Sequence, residues 1–414
     1  MHNVAITGIG IISSLGLNVD DHSRRLLDGE LGIKVSKLRL GVDAAPSLGA
    51  GVEGFRARDW IDEHLIDGTD GFARFAMAAA TQAVDDARIG ELDPLRTAIV
   101  HGTSMGGTRA LLEAQHLLEQ RGPESVPRKT MIKIWPNMAA AQIAMKYDLH
   151  GQQLTVCTAC ASSIDAVGTA ARLIADGRAD AAITGGTEGG SVDDGEAVEF
   201  VPATYYSGNS YGMSSQEPDP RRAALPFDVE RRGIVSGEGS AMFFLEREDH
   251  ARARGARIYG IVRGYGTVAD AFHPSSPEPS GRWEQRAMEL ALEEAELDAG
   301  AIDAVVAHAT GTPKGDTAEI RAINNLFGGR ALPVTSLKGT IGHTGASAGA
   351  MGLIAGIVAM HQGKLAPTMG TTAPEPEIDF DVVLHAAADV RVDALQVNAF
   401  GFGGQDASLV VTRD

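Results

Sequence analysis

Short apolar runs alternate along this chain with longer stretches in which apolar residues return every three or four positions. The first pattern predicts buried strands and the second predicts helices with one packed face. Strands are expected in "NVAITGIG" (3–10), "RTAIVHGTS" (96–104), "ADAAITGG" (179–186), "ARIYGIVRGYGTVAD" (256–270) and "IDAVVAHATGT" (302–312). Two more flank a glycine turn in "LQVNAFGFGGQDASLVVTR" (395–413). Helices are expected over 74–89, over 162–177 with Gly177 as the stop, over 282–297 and over 346–363. Strands and helices in alternation predict an α/β protein whose sheets are mostly covered by helices.

The pattern runs through twice. A break near "HARARGA" (250–256) divides it into halves at 1–253 and 254–414. Each half places a helix of small residues just after a reactive side chain, Cys160 in the first and His343 in the second. The polar, turn-rich stretch 190–225 is expected to lie over the core as an excursion.

Composition narrows the partners. With 44% hydrophobic and 22% charged residues over 414 positions, the chain can build a substantial core. Its net charge of −18 argues against nucleic acid or an anionic membrane as the main partner. The apolar stretch 345–360 is shorter than a bilayer crossing, which needs about 20 residues. The first residues lack the basic flank of a signal peptide and are interrupted by Gly8 and Gly10, so a soluble, cytoplasmic protein is expected.

The only two cysteines stand together in "VCTACASS", at Cys157 and Cys160. Four readings compete: a redox pair, half of a zinc site, two core residues, or one nucleophile with a bystander. A redox pair usually has an aromatic neighbour, and this segment has none. A zinc site would have to recruit His308 and His343 from far along the chain. The nucleophile reading puts Cys160 at a strand-to-helix turn, where peptide dipoles favour a thiolate, and packs Cys157 away. A thiol that accepts an acyl group also needs oxyanion donors and groups that manage charge on the next carbon. "VAHATGTPKGDTAE" (306–319) offers His308, and "SLKGTIGHTGASAGAMG" (336–352) offers Lys338 and His343.

At these residues the sequence resembles the β-ketoacyl-[acyl-carrier-protein] synthases of the thiolase-like superfamily. The likeness is carried by "TACASS", "HATGTPKGD", "KGTIGH" and "NAFGFGG" in this order and extends over nearly the whole chain. It implies a five-layered αβαβα fold of two similar halves. It also implies decarboxylative condensation of an acyl chain on Cys160 with malonyl-[acyl-carrier-protein]. His308 and His343 would bond the malonyl thioester oxygen, Lys338 would order the site, and Glu319 would be its acidic partner. Backbone N–H groups of Cys160 and Phe402 would form the oxyanion hole. Phe402 would gate the pocket on a loop that Gly401, Gly403 and Gly404 leave free to move, with Phe400 beside it. No cofactor or metal is implied, because substrates arrive on a carrier protein's phosphopantetheine. The partners implied are that carrier protein and a second chain, identical or a ketosynthase-like chain-length subunit.

Further positions follow from the same resemblance. Met105 and Trp135 match acyl-pocket positions, Trp135 within a shortened segment "RKTMIKIWPNM" (128–138). Arg128 and Lys129 match basic residues that dock the acidic carrier protein. Asp270 and His273 match a family segment and are read as structural. Two departures stand out. Gly352 replaces a glutamate that many of these synthases carry nine residues after the second histidine. Gln405-Asp406 replaces Thr-Asn after the "GFGG" turn, and Asp406 is expected to restore charge or a cation site near Lys338. Gly352, Asp406 and the short segment favour a polyketide or other secondary pathway over fatty-acid elongation.

Overall fold

The computed structural model describes residues 2–36, 47–190, 192–193, 196–197 and 207–414. Part of the excursion expected at 190–225 therefore lies outside the described residues; its described part includes the short helix Pro220–Ala223.

The first half supplies β1 (Val4–Ser13), α1 (Gly71–Ala87), β2 (Thr97–Gly102), β3 (Gln153–Val156), α2 (Ser162–Ala175), β4 (Ala181–Glu188) and β5 (Gly239–Arg247). The second supplies β6 (Gly260–Ala269), α3 (Arg282–Ala295), β7 (Ala304–Val306), α4 (Pro313–Phe327), β8 (Pro333–Thr335), α5 (Ala348–Gln362), β9 (Asp381–Val382), β10 (Ala394–Gly401) and β11 (Gln405–Thr412). The break drawn at 253/254 falls at the end of the short helix Glu248–Ala253, between β5 and β6.

Strand pairing shows the repeat that sequence similarity alone leaves faint. In the first half, β1 pairs antiparallel with β5, β5 antiparallel with β4, β4 parallel with β2, and β2 parallel with β3. In the second half β6, β11, β10, β7 and β8 follow in the same order with the same directions, and β9 extends the edge. The two sheets join along β1 and β6 through only three pairs, Val4–Val262, Ala5–Ile261 and Ile6–Gly260.

Burial explains the sequence pattern. All ten residues of β1 are buried, so it reads as a continuous apolar run with no alternation. Helix α1 covers the outer face of the first sheet, and α3 that of the second, with α4 packed beside α3 in the same core cluster as Val305 and Val334. Helices α2 and α5 lie between the sheets and against each other, giving the αβαβα layering. Every residue of α5 from Ala348 to Met360 is buried, which accounts for its all-round apolar character. Ser163 Oγ of α2 accepts the Ala350 N–H of α5 at 3.0 Å, so the central helices are tied at their first turns. No helix among the described residues is long and apolar enough to cross a membrane.

Because α2 follows β3 and α5 follows β8, both helices start at the same end of the molecule. Cys160 precedes one start and His343 the other. The repeat thus brings together side chains 183 residues apart.

Candidate functional site

Cys160 lies in a single 3₁₀ turn, Ala159–Ala161, that opens into α2. Ala159 is left-handed at φ 49°, a strained conformation for a residue with a side chain. Ser162 Oγ holds the turn, accepting from Thr158 N at 2.9 Å and donating to Ala159 O at 2.6 Å. The sharp bend aims the thiol into a cavity of about 270 Å³, lined among others by His308, His343, Phe402, Thr310 and Lys314.

His343 Nε2 is 3.0 Å from Cys160 Sγ, and the His308 ring stands edge-on to His343 with centroids 5.4 Å apart. One ligand atom from each of the three residues lies within 4.8 Å of the others. That set could in principle hold a metal. However, Nδ1 of both histidines is buried with no hydrogen-bond partner among the described residues, whereas a metal-bound imidazole usually donates its other N–H to an orienting group. Cys157 is exposed, with its sulfur turned towards Ser104 O at 3.7 Å, so it does not face packing as the sequence suggested. One residue past the end of β3, it has left the sheet that would have covered it.

Electrostatics corrects the thiolate expectation. Burial pushes the Cys160 thiol from its ordinary 9.0 up to about 11, and Glu188 adds to the rise. The Lys338 charge and the backbone N–H groups of Phe402 and Cys160 pull the other way. A rise of that size corresponds to about 2.7 kcal/mol. The start of a helix returns only about 0.3–1 kcal/mol. Burial wins, and the resting residue is a neutral thiol. Burial and Lys338 also hold His343 down to about 3, and burial, Lys338 and His343 hold His308 well below the usual range. Both imidazoles are therefore neutral at pH 7.

Lys338 is buried, not a surface lysine; Nζ donates to Ala307 O at 3.4 Å, and burial brings the ammonium down to about 8. Glu319 is buried on α4 and accepts the backbone N–H groups of His308 (2.8 Å) and Ala309 (2.6 Å). Its first task is to hold the His308 loop; among the described residues no ion pair within 4.0 Å joins it to Lys338. Asn398 Nδ2 also donates to Glu319, at 3.2 Å, a contact the sequence motif contained without announcing.

The backbone N–H groups of Cys160 and Phe402 both reach the sulfur and favour its anion. Phe402 is exposed at the turn between β10 and β11, while Phe400 is buried with its ring 5.9 Å from that of His308. The turn is less free than expected. Gly403 N donates to Pro274 O (2.8 Å), and Gly404 O accepts from Asp270 N (2.9 Å). Gly401 is needed for closeness, since a Cβ there would lie 2.7 Å from Thr158 O. Asp270 accepts from the N–H groups of Phe272 (3.0 Å) and Glu278 (3.1 Å), and His273 Nδ1 accepts from Ser275 N (3.2 Å).

Other residues lie elsewhere than expected. Met105 and Trp135 are exposed and absent from the wall of the cavity at Cys160. The shortened segment forms the small helix Thr130–Lys133 outside that wall. Arg128 and Lys129 are exposed, and Lys129 pairs with Asp67 at 2.7 Å. Asp406 is buried opposite Phe400 and faces acids: Asp270, Glu319, Asp165 and Glu284. It adds to a buried acidic cluster and does not restore charge beside Lys338.

Two family models match the chain, "Beta-ketoacyl synthase, N-terminal domain" over residues 1–251 and "Beta-ketoacyl synthase, C-terminal domain" over 259–372. The chain belongs to the β-ketoacyl synthase family. A curated relative, 3-oxoacyl-[acyl-carrier-protein] synthase 2 of Synechocystis, is 34% identical over 99% of this chain and 98% of its own length. Among solved structures, an ishigamide ketosynthase/chain length factor is similar at TM-score 0.91 and 30% identity, covering 100% of this chain and 99% of that one. A ketosynthase in complex with its chain length factor from Xenorhabdus doucetiae matches at TM-score 0.81 and 25% identity, over 100% and 98%. This β-ketoacyl synthase is thus a condensing acyltransferase of thiolase-like fold.

Proposed function

We propose that the chain elongates acyl groups in a polyketide or other secondary pathway, carrying the growing chain on Cys160 and taking malonyl units from an acyl carrier protein. The observation that carries the reading is the 3.0 Å approach of His343 Nε2 to Cys160 Sγ, with His308 beside it in one cavity.

In the first half-reaction, Sγ attacks the acyl thioester while neutral His343 keeps its Nε2–H towards it, and the thiol proton is carried to the departing carrier sulfur. The tetrahedral oxyanion takes the N–H groups of Cys160 and Phe402. On collapse, the carrier's sulfur leaves with the proton. In the second, malonyl thioester loses CO₂ and its electron pair becomes an enolate, whose oxygen takes N–H bonds from the neutral imidazoles of His308 and His343. The enolate carbon attacks the acyl-Cys160 carbonyl, the C–S bond breaks, and the sulfur takes up a proton from solvent.

The pathway assignment is supported by Gly352 and by the two neighbours whose names include a chain length factor. Fatty-acid elongation remains the second reading, favoured by the name of the curated relative. A paired chain, identical or a chain-length subunit, suits the surface around β3. That strand is at the sheet edge, and Met105, Met131, Ile132 and Trp135 are exposed. Cys160 and both histidines argue against a chain-length subunit lacking its own activity.

Mass spectrometry of the intact protein with a panel of acyl-carrier proteins tests the reading. One acyl adduct on Cys160, absent in Cys160→Ala, is expected. Unreduced products longer than one condensation would favour the polyketide pathway. An adduct on Cys157 would overturn the site assignment.

A further inference from the structure

Beneath the active site a buried acid joins the two halves. Glu188 ends β4, is only 9% exposed, and no side chain of opposite charge is bonded to it among the described residues. Its bonds are to donors from two separate loops. Oε2 accepts the Ser104 N–H at 3.1 Å, the Ser104 hydroxyl, and the Ala346 N–H at 3.4 Å. Oε1 accepts the Met105 N–H at 3.1 Å. Ser104 and Met105 follow β2 in the first half, and Ala346 lies three residues past His343 in the second. Gly345, left-handed at φ 56°, packs onto the Glu188 stem so closely that a Cβ there would lie 2.8 Å from Cγ.

We infer that Glu188 is a positioning residue for the Cys160–His343 pair, clamping the turn that carries His343 to the nucleophile's half of the molecule. The argument is one of donor and acceptor count. All four bonded groups can donate, and three are backbone N–H groups that can do nothing else. Only an acceptor with two oxygens satisfies them together, and only a side chain of glutamate's length reaches from the end of β4 to both loops. A glutamine would turn an NH₂ against an N–H on one side. An aspartate would keep the charge but fall one methylene short. The carboxylate also acts on Cys160 through space, opposing ionisation of the thiol, so its presence is readable at the sulfur.

The inference rests on Cys160 as the acyl-carrying residue, and the test separates the two. Wild type, Glu188→Gln and Glu188→Asp are compared for acyl loading of Cys160, for condensation with malonyl-carrier protein, and for the pH profile of Cys160 alkylation by iodoacetamide. A misplacement near 1 Å costs about 10²-fold in rate, so both variants should lose up to that factor in condensation kcat while remaining folded. Glu188→Gln should also move the alkylation midpoint to lower pH, because a negative charge has gone. Glu188→Asp should leave that midpoint near wild type. Unchanged condensation in both variants, or losses that only track the unfolded fraction in a melting curve with no movement of the alkylation profile, would overturn the clamp. Failure of the wild type to load Cys160 would overturn the proposed function instead.

Discussion

His343 Nε2 stands 3.0 Å from Cys160 Sγ, yet neither group is charged at rest. Burial drives the thiol up to about 11 and the imidazole down to about 3, the opposite of a standing thiolate–imidazolium pair. Alkylation of Cys160 should therefore climb steadily towards pH 11, with no step near the ordinary histidine value. Iodoacetamide labelling followed by mass spectrometry measures this directly. A plateau of full reactivity by pH 7 would show that an ion pair had formed after all.

Lys338 should be felt at the same sulfur. Its charge is the largest influence favouring the thiolate, and burial holds the ammonium down to about 8. Replacing it with methionine should cut alkylation about tenfold below pH 8, where the ammonium is charged, with the gap closing at higher pH, and should slow condensation about tenfold. Wild-type condensation should also weaken above pH 8, as Lys338 loses its proton. A variant alkylated as fast as wild type below pH 8 would show that Lys338 only fills space.

The chemistry-bearing residues were legible because each is announced by its own loop: "TACASS", "HATGTPKGD" and "KGTIGH" put a reactive side chain among small residues before a helix. Position in space was not legible. Only the matching strand order of the halves brings the starts of α2 and α5 together, and strand order is not written in any single segment. The strain at Ala159 was hidden because an alanine gives no sign of a left-handed turn. The thiol's high pKa was missed for a related reason, since burial by distant strands outweighs the local helix start. Asp406 was misplaced because proximity to Lys338 was inferred from a missing acid at 352, whereas β11 turns it towards α3.

Gly352 is tightly neighboured. A Cβ there would lie 3.1 Å from Val306 Cγ1 and 3.4 Å from Val397 Cγ1. Gly352→Glu should cost about 1–3 kcal/mol through overpacking. Differential scanning calorimetry would show a lower Tm, partly restored when Val306→Ala makes room. A Tm at or above wild type would mean the site readily accepts the acid.

Arg128 and Lys129 lie exposed on a protein of net charge −18. If they dock an acidic carrier protein, its binding should weaken steeply with salt, and Arg128→Glu should weaken it and flatten the salt response. Lys129→Ala should cost less, because Asp67 already engages that ammonium. Titration calorimetry at rising ionic strength decides; a flat response in wild type would remove both residues from the docking surface.

Asp406 gives the fold a pH signature of its own. Burial, with Asp270, Glu319 and Asp165 nearby, raises its carboxyl from 3.8 to about 8, and its Oδ2 has no hydrogen-bond partner among the described residues. The folded state thus binds a proton across a range where the unfolded chain has released it. Stability from this group is fully present below pH 3.8, falls as pH rises, and levels off above about 8. Asparagine needs no proton to stay neutral. Asp406→Asn should therefore be more stable than wild type at pH 8, with the gap closing towards pH 4. Denaturant melts at several pH values would trace the convergence. Parallel curves for the two proteins would mean that Asp406 carries its charge in the fold without penalty, and that the acids around it are neutralised by some other group.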